Sequence, residues 1–497
     1  IPYLIQGVND WQKAFEKAGF KNAIYAKVPN PKDDPEWSLE DARFSAVVYK
    51  PSDVPNASGP SIADPRTGEI LESHINWYHN VMKLLNDWYF VQASPNDPRA
   101  RKADFDDELM GQLIRFVSSH EVGHTLGLRH NYGSSSTVPV ENLRNNSWLK
   151  ANGHTPSIMD YARFNYVAQP EDKISIDNLM PRIGDYDYWA IEWGYRRFYN
   201  YNSPEKEKTF INKWTIEKLQ NPRLWFGTES NPFDPRSQSE QVGDNPMIAG
   251  KYGVKNLQRV IDNLEAWSTK PNEDYSVLAD RYNQVSGQFS RYLGHVAKYI
   301  GGVMETPKTV EQKGAVYELV SKTEQKEALK FLNDYAFTTP NWILKKDVLN
   351  KINRTPVDVV SNLQNGVLNR ILMNGVLENL NKGESIDINA YSLFDYLQDL
   401  KSNIFSELKT SSKIDIYRRN LQRSFVDNLL SKTDSATGAS IIRMGSSDNS
   451  DVKALVRGTL RDIRNEASKS ASQYSDSVTK YHLEDLVYRI DKALEVK

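Results

Sequence analysis

The feature that most constrains this chain of 497 residues is the string HEVGHTLGLRH, which begins at His120. The preceding run, LMGQLIRFVSS, has apolar residues at helical spacing, so we expect one long helix that continues into the string. Asp104 or Asp106 is expected to cap this helix. His120 and His124 would then lie about one turn apart on the same face. Two imidazoles in this arrangement can share one metal ion.

A third histidine can join the pair only if the chain reverses direction after the helix. In a continuous helix, His130 would lie about 15 Å along the axis from His120, far outside coordination distance. Gly127 stands between His124 and His130, and glycine adopts a positive φ without a Cβ penalty. We therefore predict a turn at Gly127 and a metal site made of His120, His124 and His130. Glu121 is adjacent on the helix and is the candidate proton acceptor.

Composition restricts which partners and ligands are possible. Lys and Arg total 62 against 64 Asp and Glu, a formal net charge of -2, which argues against a nucleic-acid partner. No apolar run approaches the roughly 18 residues that a membrane span requires. The chain has no cysteine, so disulfides and thiolate metal ligands are excluded. Any metal ion must be held by histidine, carboxylate or tyrosine.

The pattern HExxHxxGxxH resembles the signature of the metzincin clan of zinc peptidases. Those enzymes have a Met-turn beneath the metal, and the string SIMDY, which contains Met159, follows His130 by about thirty residues. The resemblance implies Zn²⁺ as the cofactor, Gly127 and Met159 as structural support, and Glu121 as the general base for a zinc-activated water. It also implies that Tyr161 stabilises the oxyanion, as the corresponding tyrosine does in astacins and serralysins.

Three longer strings are similar to one group of proteins in particular. WQKAFEKAGF, GPSIADPRTGEIL and SSHEVGHTLGLRHN resemble the large bacterial zinc-dependent metzincin-like proteases. This similarity covers roughly residues 1–200 and implies an exported protein that is periplasmic, associated with the outer membrane or extracellular, its targeting segment outside this chain. Asn131 differs from the residue that follows the third histidine in astacins, serralysins and matrixins, so their substrate preferences do not transfer.

The sequence predicts an α+β fold in which a metzincin-like domain, a mixed sheet plus the active-site helix, precedes a mainly α-helical domain. The predicted regions are the peptidase domain at 1–200, an irregular connector at 201–253 and helices of unknown role at 254–497. A loop at 433–452 interrupts these helices. Within the first region, strands are predicted at 23–28 and 44–49, and helices at 8–19, 74–91 and 185–198. Only residues 1–7 precede the first helix, which leaves open whether the first strand of a metzincin sheet is present.

The function predicted from these observations is that of a zinc-dependent endopeptidase. Its partner would be a protein or peptide that lies extended against an edge strand near residues 59–72. Two alternatives stay open: a zincin-fold binding or scaffolding protein that has lost proteolysis, and a zinc hydrolase that acts on a non-peptide amide. Oligomeric state and cleavage specificity are not predicted.

Overall fold

The structure of the chain, a computed structural model, describes residues 1–228, 231–433 and 450–494. It is a mixed α+β fold with a small mixed sheet and a mostly helical C-terminal region, as predicted. Most of the loop predicted for 433–452 lies outside the described residues. Within the part of the chain that is described, no helix is long and apolar enough to cross a membrane.

Two compact units divide the chain. The first comprises Ile1–Pro232 and Arg236–Val285, and the second comprises Phe233–Pro235 and Ser286–Lys497. The first unit therefore ends near residue 285, whereas the sequence predicts region limits at 200 and 253. The division into three regions stays a prediction.

Among the described residues, the sheet of the first unit has four strands, of which the fourth is the longest. They are β1 (Ala46–Lys50), β2 (Ala57–Ser58), β3 (Ser61–Ala63) and β4 (Ile70–Tyr78). The strand β4 pairs in parallel with β1 and antiparallel with both β2 and β3. Burial alternates along the second half of β4, where Ile75 and Trp77 face the core, the pattern of a strand with one buried side.

The first unit also contains helices, among them the long helix that carries His120 and His124. They are α1 (Pro2–Asn9), α2 (Gln12–Ala18), α3 (Val81–Ala93), α4 (Asp107–Thr125), α5 (Asn146–Asn152), α6 (Asp185–Tyr195), α7 (Pro204–Lys218) and α8 (Pro246–Ser268). A ninth helix, α9 (Ser276–Ala297), contains the limit between the two units.

The helix α4 has the cap that the sequence predicts. The Asp106 side chain accepts a hydrogen bond from the Leu109 backbone N–H at 2.9 Å, and the acidic first turn suits the positive end of the helix dipole. The short helix α1 packs against α4, whereas α2 packs against α6. Trp11 donates from its indole to the Ser119 carbonyl at 2.8 Å, and Ser119 donates to the Gly7 carbonyl at 3.1 Å.

Four predicted elements differ from those observed. The helix predicted at 8–19 is split between α1 and α2, so residues 1–7 are mostly helical. Residues 74–78 belong to β4, and the helix predicted from 74 begins only at Val81. Residues 23–28 form no strand, because the Ile24 and Ala26 backbone N–H groups donate to the side chains of Gln12 in α2 and Asn9 in α1. The predicted irregular connector contains the helix α7.

The second unit is almost entirely helical within the residues described. It has one two-stranded antiparallel sheet, β5 (Val303–Glu305) with β6 (Tyr317–Leu319). Its helices are α10 (Lys322–Leu332), α11 (Lys346–Lys351), α12 (Pro356–Ile371), α13 (Asn374–Ile386), α14 (Leu393–Ile404), α15 (Glu407–Thr410), α16 (Ile416–Leu430), α17 (Val452–Ala471) and α18 (Ser477–Ala493).

Candidate metal centre

The chain reverses direction where the sequence predicts it. The helix α4 ends at Thr125, and Gly127 has a φ of 89°. Its backbone N–H donates to the His124 carbonyl at 2.9 Å, and that of Leu128 donates to the Gly123 carbonyl at 3.1 Å. These bonds satisfy carbonyls that the end of a helix leaves without a helical partner. The turn brings the chain back toward the helix before His130.

The three predicted histidines meet at one point. One ring nitrogen from each of His120, His124 and His130 lies within 4.8 Å of the other two, and no other described group of histidine or acidic side chains is arranged to hold a metal. The Nε2 atoms of His124 and His130 are 3.1 Å apart. Ligands at about 2.0–2.1 Å from a tetrahedral zinc ion would be about 3.3 Å apart, so the spacing suits zinc.

Hydrogen bonds to backbone carbonyls orient two of these rings. His120 donates from Nδ1 to the Ile158 carbonyl at 2.8 Å, and His124 donates from Nδ1 to the Leu128 carbonyl at 2.9 Å. A carbonyl can only accept, so Nδ1 carries the proton and Nε2 keeps its lone pair. The His120 Nε2 is buried and has no hydrogen-bond partner. This buried lone pair faces the other two imidazoles, and a metal ion bound between the three rings would accept it.

Burial keeps His120 neutral. Loss of solvent, followed by the neighbouring His124, lowers the pKa of His120 from 6.5 to about 3. A neutral imidazole is the form that binds a metal ion. The donor set, the free Nε2 and the protonation state therefore all fit a zinc ion.

Glu121 lies beside the histidines and is almost fully buried. Burial raises the pKa of its carboxyl from 4.5 to about 7, although the Gly59 backbone N–H donates to it. Gly59 comes so close to the helix that a Cβ added to it would lie 2.4 Å from the Glu121 carbonyl oxygen. The segment between β2 and β3 therefore lies directly against the candidate base, whose pKa suits proton transfer near neutral pH.

Met159 is completely buried against the helix that carries His120 and His124. A Cβ added to Gly123 would lie 2.3 Å from the Met159 Sδ, so the glycine allows the methionine to pack directly on the helix. The Met159 carbonyl accepts a hydrogen bond from the Asn131 backbone N–H at 2.9 Å. The Met-turn thus contacts both the helix that carries two histidines and the residue after the third.

Two tyrosines flank the histidines on one side. The ring of Tyr161 lies 4.6 Å from that of His130 and 5.3 Å from that of His120, measured between centroids. Tyr132 stacks on His130 at 5.2 Å with an angle of 19° between the ring planes. The sequence analysis identified Tyr161 but missed Tyr132, although its position two residues after His130 could have suggested it.

Asn131, noted in the sequence only as a departure, connects the third histidine to a distant segment. Its side chain donates to the Trp225 carbonyl at 2.9 Å and accepts from the Gly227 backbone N–H at 2.8 Å. It is fully buried. Residues 225–227 fall inside the predicted connector, yet they fix the loop that carries His130.

The pattern of a metzincin metal site is present: a helix capped by Asp106, two histidines one turn apart, a third after a glycine turn, and a buried methionine. Comparison with protein families agrees: a family model described as Met-zincin matches residues 102–412, more than half of the chain. The chain therefore belongs to the Met-zincin family. This membership indicates a zinc metallopeptidase. No curated protein and no solved structure matches the chain.

Proposed function

We propose that this protein is a zinc-dependent endopeptidase in which His120, His124 and His130 bind the metal and Glu121 is the general base. The observation that carries the proposal is the buried Glu121 carboxyl next to three converging imidazoles. Zinc, when bound by these imidazoles, would supply Lewis-acid polarisation of the scissile carbonyl and of the attacking water. Membership of the Met-zincin family supports this reading.

Glu121 would move the proton. It would accept a proton from the attacking water and donate it to the departing amine, and its burial beside the imidazoles supports this role. The hydroxyl of Tyr161 would donate a hydrogen bond to the oxyanion that forms on the scissile carbonyl. Its ring position beside His130 and His120 supports this assignment.

The substrate backbone would lie extended along the segment 57–63. Both β2 and β3 pair with β4 and leave their other side without a strand among the described residues. Gly59 and Pro60 connect them next to Glu121. Pairing of main-chain groups with such an edge holds a peptide whatever its side chains are. This segment overlaps the range of 59–72 predicted from the sequence but begins at residue 57, and residues 70–72 of that range belong to the strand β4.

A single substitution tests the proposal. Glu121→Gln removes the proton acceptor but keeps the size of the side chain, so casein hydrolysis is expected to fall at least about 100-fold at unchanged zinc content. Glu108→Gln is the matched control, since Glu108 is exposed in the first turn of the same helix. Hydrolysis is measured with labelled casein and zinc with elemental mass spectrometry.

The outcomes separate the competing functions. Full activity in Glu121→Gln would exclude Glu121 as the base. A wild-type protein that binds one zinc ion but cleaves neither casein nor peptides would favour the binding or scaffolding alternative. Cleavage of non-peptide amides alone would favour a zinc hydrolase that does not act on peptides.

The proposal includes a location. The similarity to large bacterial metzincin-like proteases supports an exported protein in the periplasm, at the outer membrane or outside the cell. Fractionation of the source cells followed by immunoblotting tests it, and recovery of the protein in the cytosolic fraction would contradict it.

A further inference from the structure

Glu240 is a buried acidic residue far from the motif in sequence. Its side chain is 1% exposed and its φ is 64°, a left-handed conformation that is uncommon for residues other than glycine. Such a conformation persists when the surrounding contacts hold it in place. It lies in the first unit, within the region predicted as an irregular connector.

Three contacts, one of them through Gln92, join Glu240 to residues 161–164. Its backbone N–H donates to the Tyr161 carbonyl at 2.8 Å. Its carboxylate pairs with the Arg163 guanidinium at 2.7 Å and accepts from the Gln92 amide at 3.0 Å. Gln92 in turn accepts from the Phe164 backbone N–H at 3.1 Å. Residues 161–164 are thus held at both ends through one glutamate.

Arg163 carries this restraint to the site. Its guanidinium carbon lies 3.1 Å from the centre of the Trp88 ring and 5.4 Å from that of Tyr161. All three side chains line a narrow apolar recess that also contacts His120 and Glu121. Arg163 is buried, and removal of a buried ion-pair partner is unfavourable because the guanidinium keeps its charge away from water. Loss of Glu240 would therefore drive Arg163 away from the tyrosine ring.

We propose that Glu240 is a positioning residue that fixes the Tyr161 ring beside His130 through the Tyr161 carbonyl and through Arg163. This inference rests on the proposed function of Tyr161 in oxyanion stabilisation. It places the 240 region within the catalytic machinery, although no chemistry takes place on Glu240 itself.

A double-mutant cycle tests the proposal. Tyr161→Phe is expected to lower kcat on a fluorogenic peptide about 100-fold, the loss typical of one oxyanion donor. Glu240→Gln is expected to lower kcat about tenfold, with KM within about twofold of wild type, because the residue acts through the tyrosine. The double variant should then be no slower than Tyr161→Phe. Losses that multiply, or a Glu240→Gln variant with wild-type kcat, would overturn the proposal.

A second readout does not depend on activity. Hydrogen exchange of the metal-free protein is followed by mass spectrometry on peptides that contain residues 159–166. Glu240→Gln should accelerate exchange in these peptides and leave α1 and α2 unchanged. The matched control is Asp172→Asn, which breaks the ion pair with Arg144 at 2.7 Å, partly buried on both sides.

These two readouts distinguish the failures. Unchanged exchange in Glu240→Gln overturns the positioning role even if the protein is an active peptidase. Local acceleration in a protein that never cleaves peptides leaves the restraint intact and refutes the proposed function instead.

Discussion

The carboxylate of Asp187 accepts a hydrogen bond of 2.8 Å from the backbone N–H of Ile158. The carbonyl of the same Ile158 accepts from His120 Nδ1 at 2.8 Å. Asp187 also accepts from the Ser157 hydroxyl at 2.6 Å and from the Gly184 backbone N–H at 2.8 Å. The start of the helix α6 therefore holds Ile158, the residue whose carbonyl orients the first histidine.

We expect Asp187→Asn to weaken zinc binding. The amide places an N–H₂ group where the carboxylate accepted a hydrogen bond, so the Ile158 carbonyl shifts and His120 loses its orientation. Loss of such support costs about 10- to 100-fold in metal affinity, measured by competition with a chromophoric chelator. Asp185→Asn is the control, because Asp185 is in the same helical turn and pairs instead with Arg223. Equal affinities for Asp187→Asn and wild type would contradict the prediction.

The same carboxyl should make stability depend on pH. Burial raises the pKa of Asp187 from 3.8 to about 7, so between these values the folded chain keeps a proton that the unfolded chain has released. Its contribution to stability is complete below the unfolded pKa and is lost as the pH rises through about 7. The free energy of unfolding of wild type minus that of Asp187→Asn should therefore fall as the pH rises from about 4.5 to about 7.5, the range in which only the folded chain holds the proton. Urea titrations of the metal-free proteins measure it, and a rising difference would be inconsistent with a raised pKa.

The sequence predicted the parts of the site that depend on short spacing. His120, His124 and Gly127 fall within one helix and its terminal turn, where geometry follows from residue number alone. Met159 and Tyr161 were predicted only because the pattern resembles a known clan. The fold places both next to the histidines, and their roles stay predictions.

The residues that the sequence did not reveal act across long separations. Asp187, Asn131 and Glu240 hold the site through hydrogen bonds to backbone groups, which leave no periodic signal in the sequence. The error at residues 74–78 has a similar cause. This segment becomes a strand because β1, β2 and β3 pair with it, and pairing partners are not visible in a local pattern.

Gly127→Ala should destabilise the protein and weaken zinc binding. No atom lies within 4 Å of a Cβ added there, so the cost comes from the φ of 89° alone. A left-handed alanine costs about 1–2 kcal/mol, seen as a lower free energy of unfolding. Relaxation of the turn would also displace His130 and reduce zinc affinity. Gly68→Ala is matched, with a φ of 78° and equally open space, and should lose similar stability while it binds zinc normally. Normal zinc binding in Gly127→Ala would show that the third histidine does not need this turn.

Gly59→Ala should impair catalysis by contact and not by backbone strain. The added Cβ would lie 2.4 Å from the Glu121 carbonyl oxygen and 3.2 Å from Thr125 Cγ2, so the segment between β2 and β3 must move away from the helix. That movement withdraws the Gly59 N–H from the Glu121 carboxylate and displaces the edge that would bind substrate. A shift of about 1 Å can cost about 100-fold in rate, so kcat/KM on peptides should fall by that order at unchanged zinc content. Gly194→Ala on the helix α6 has open space around its Cβ and should keep the wild-type rate. A Gly59→Ala variant as fast as this control would mean that close approach of the strand edge to Glu121 has no part in catalysis.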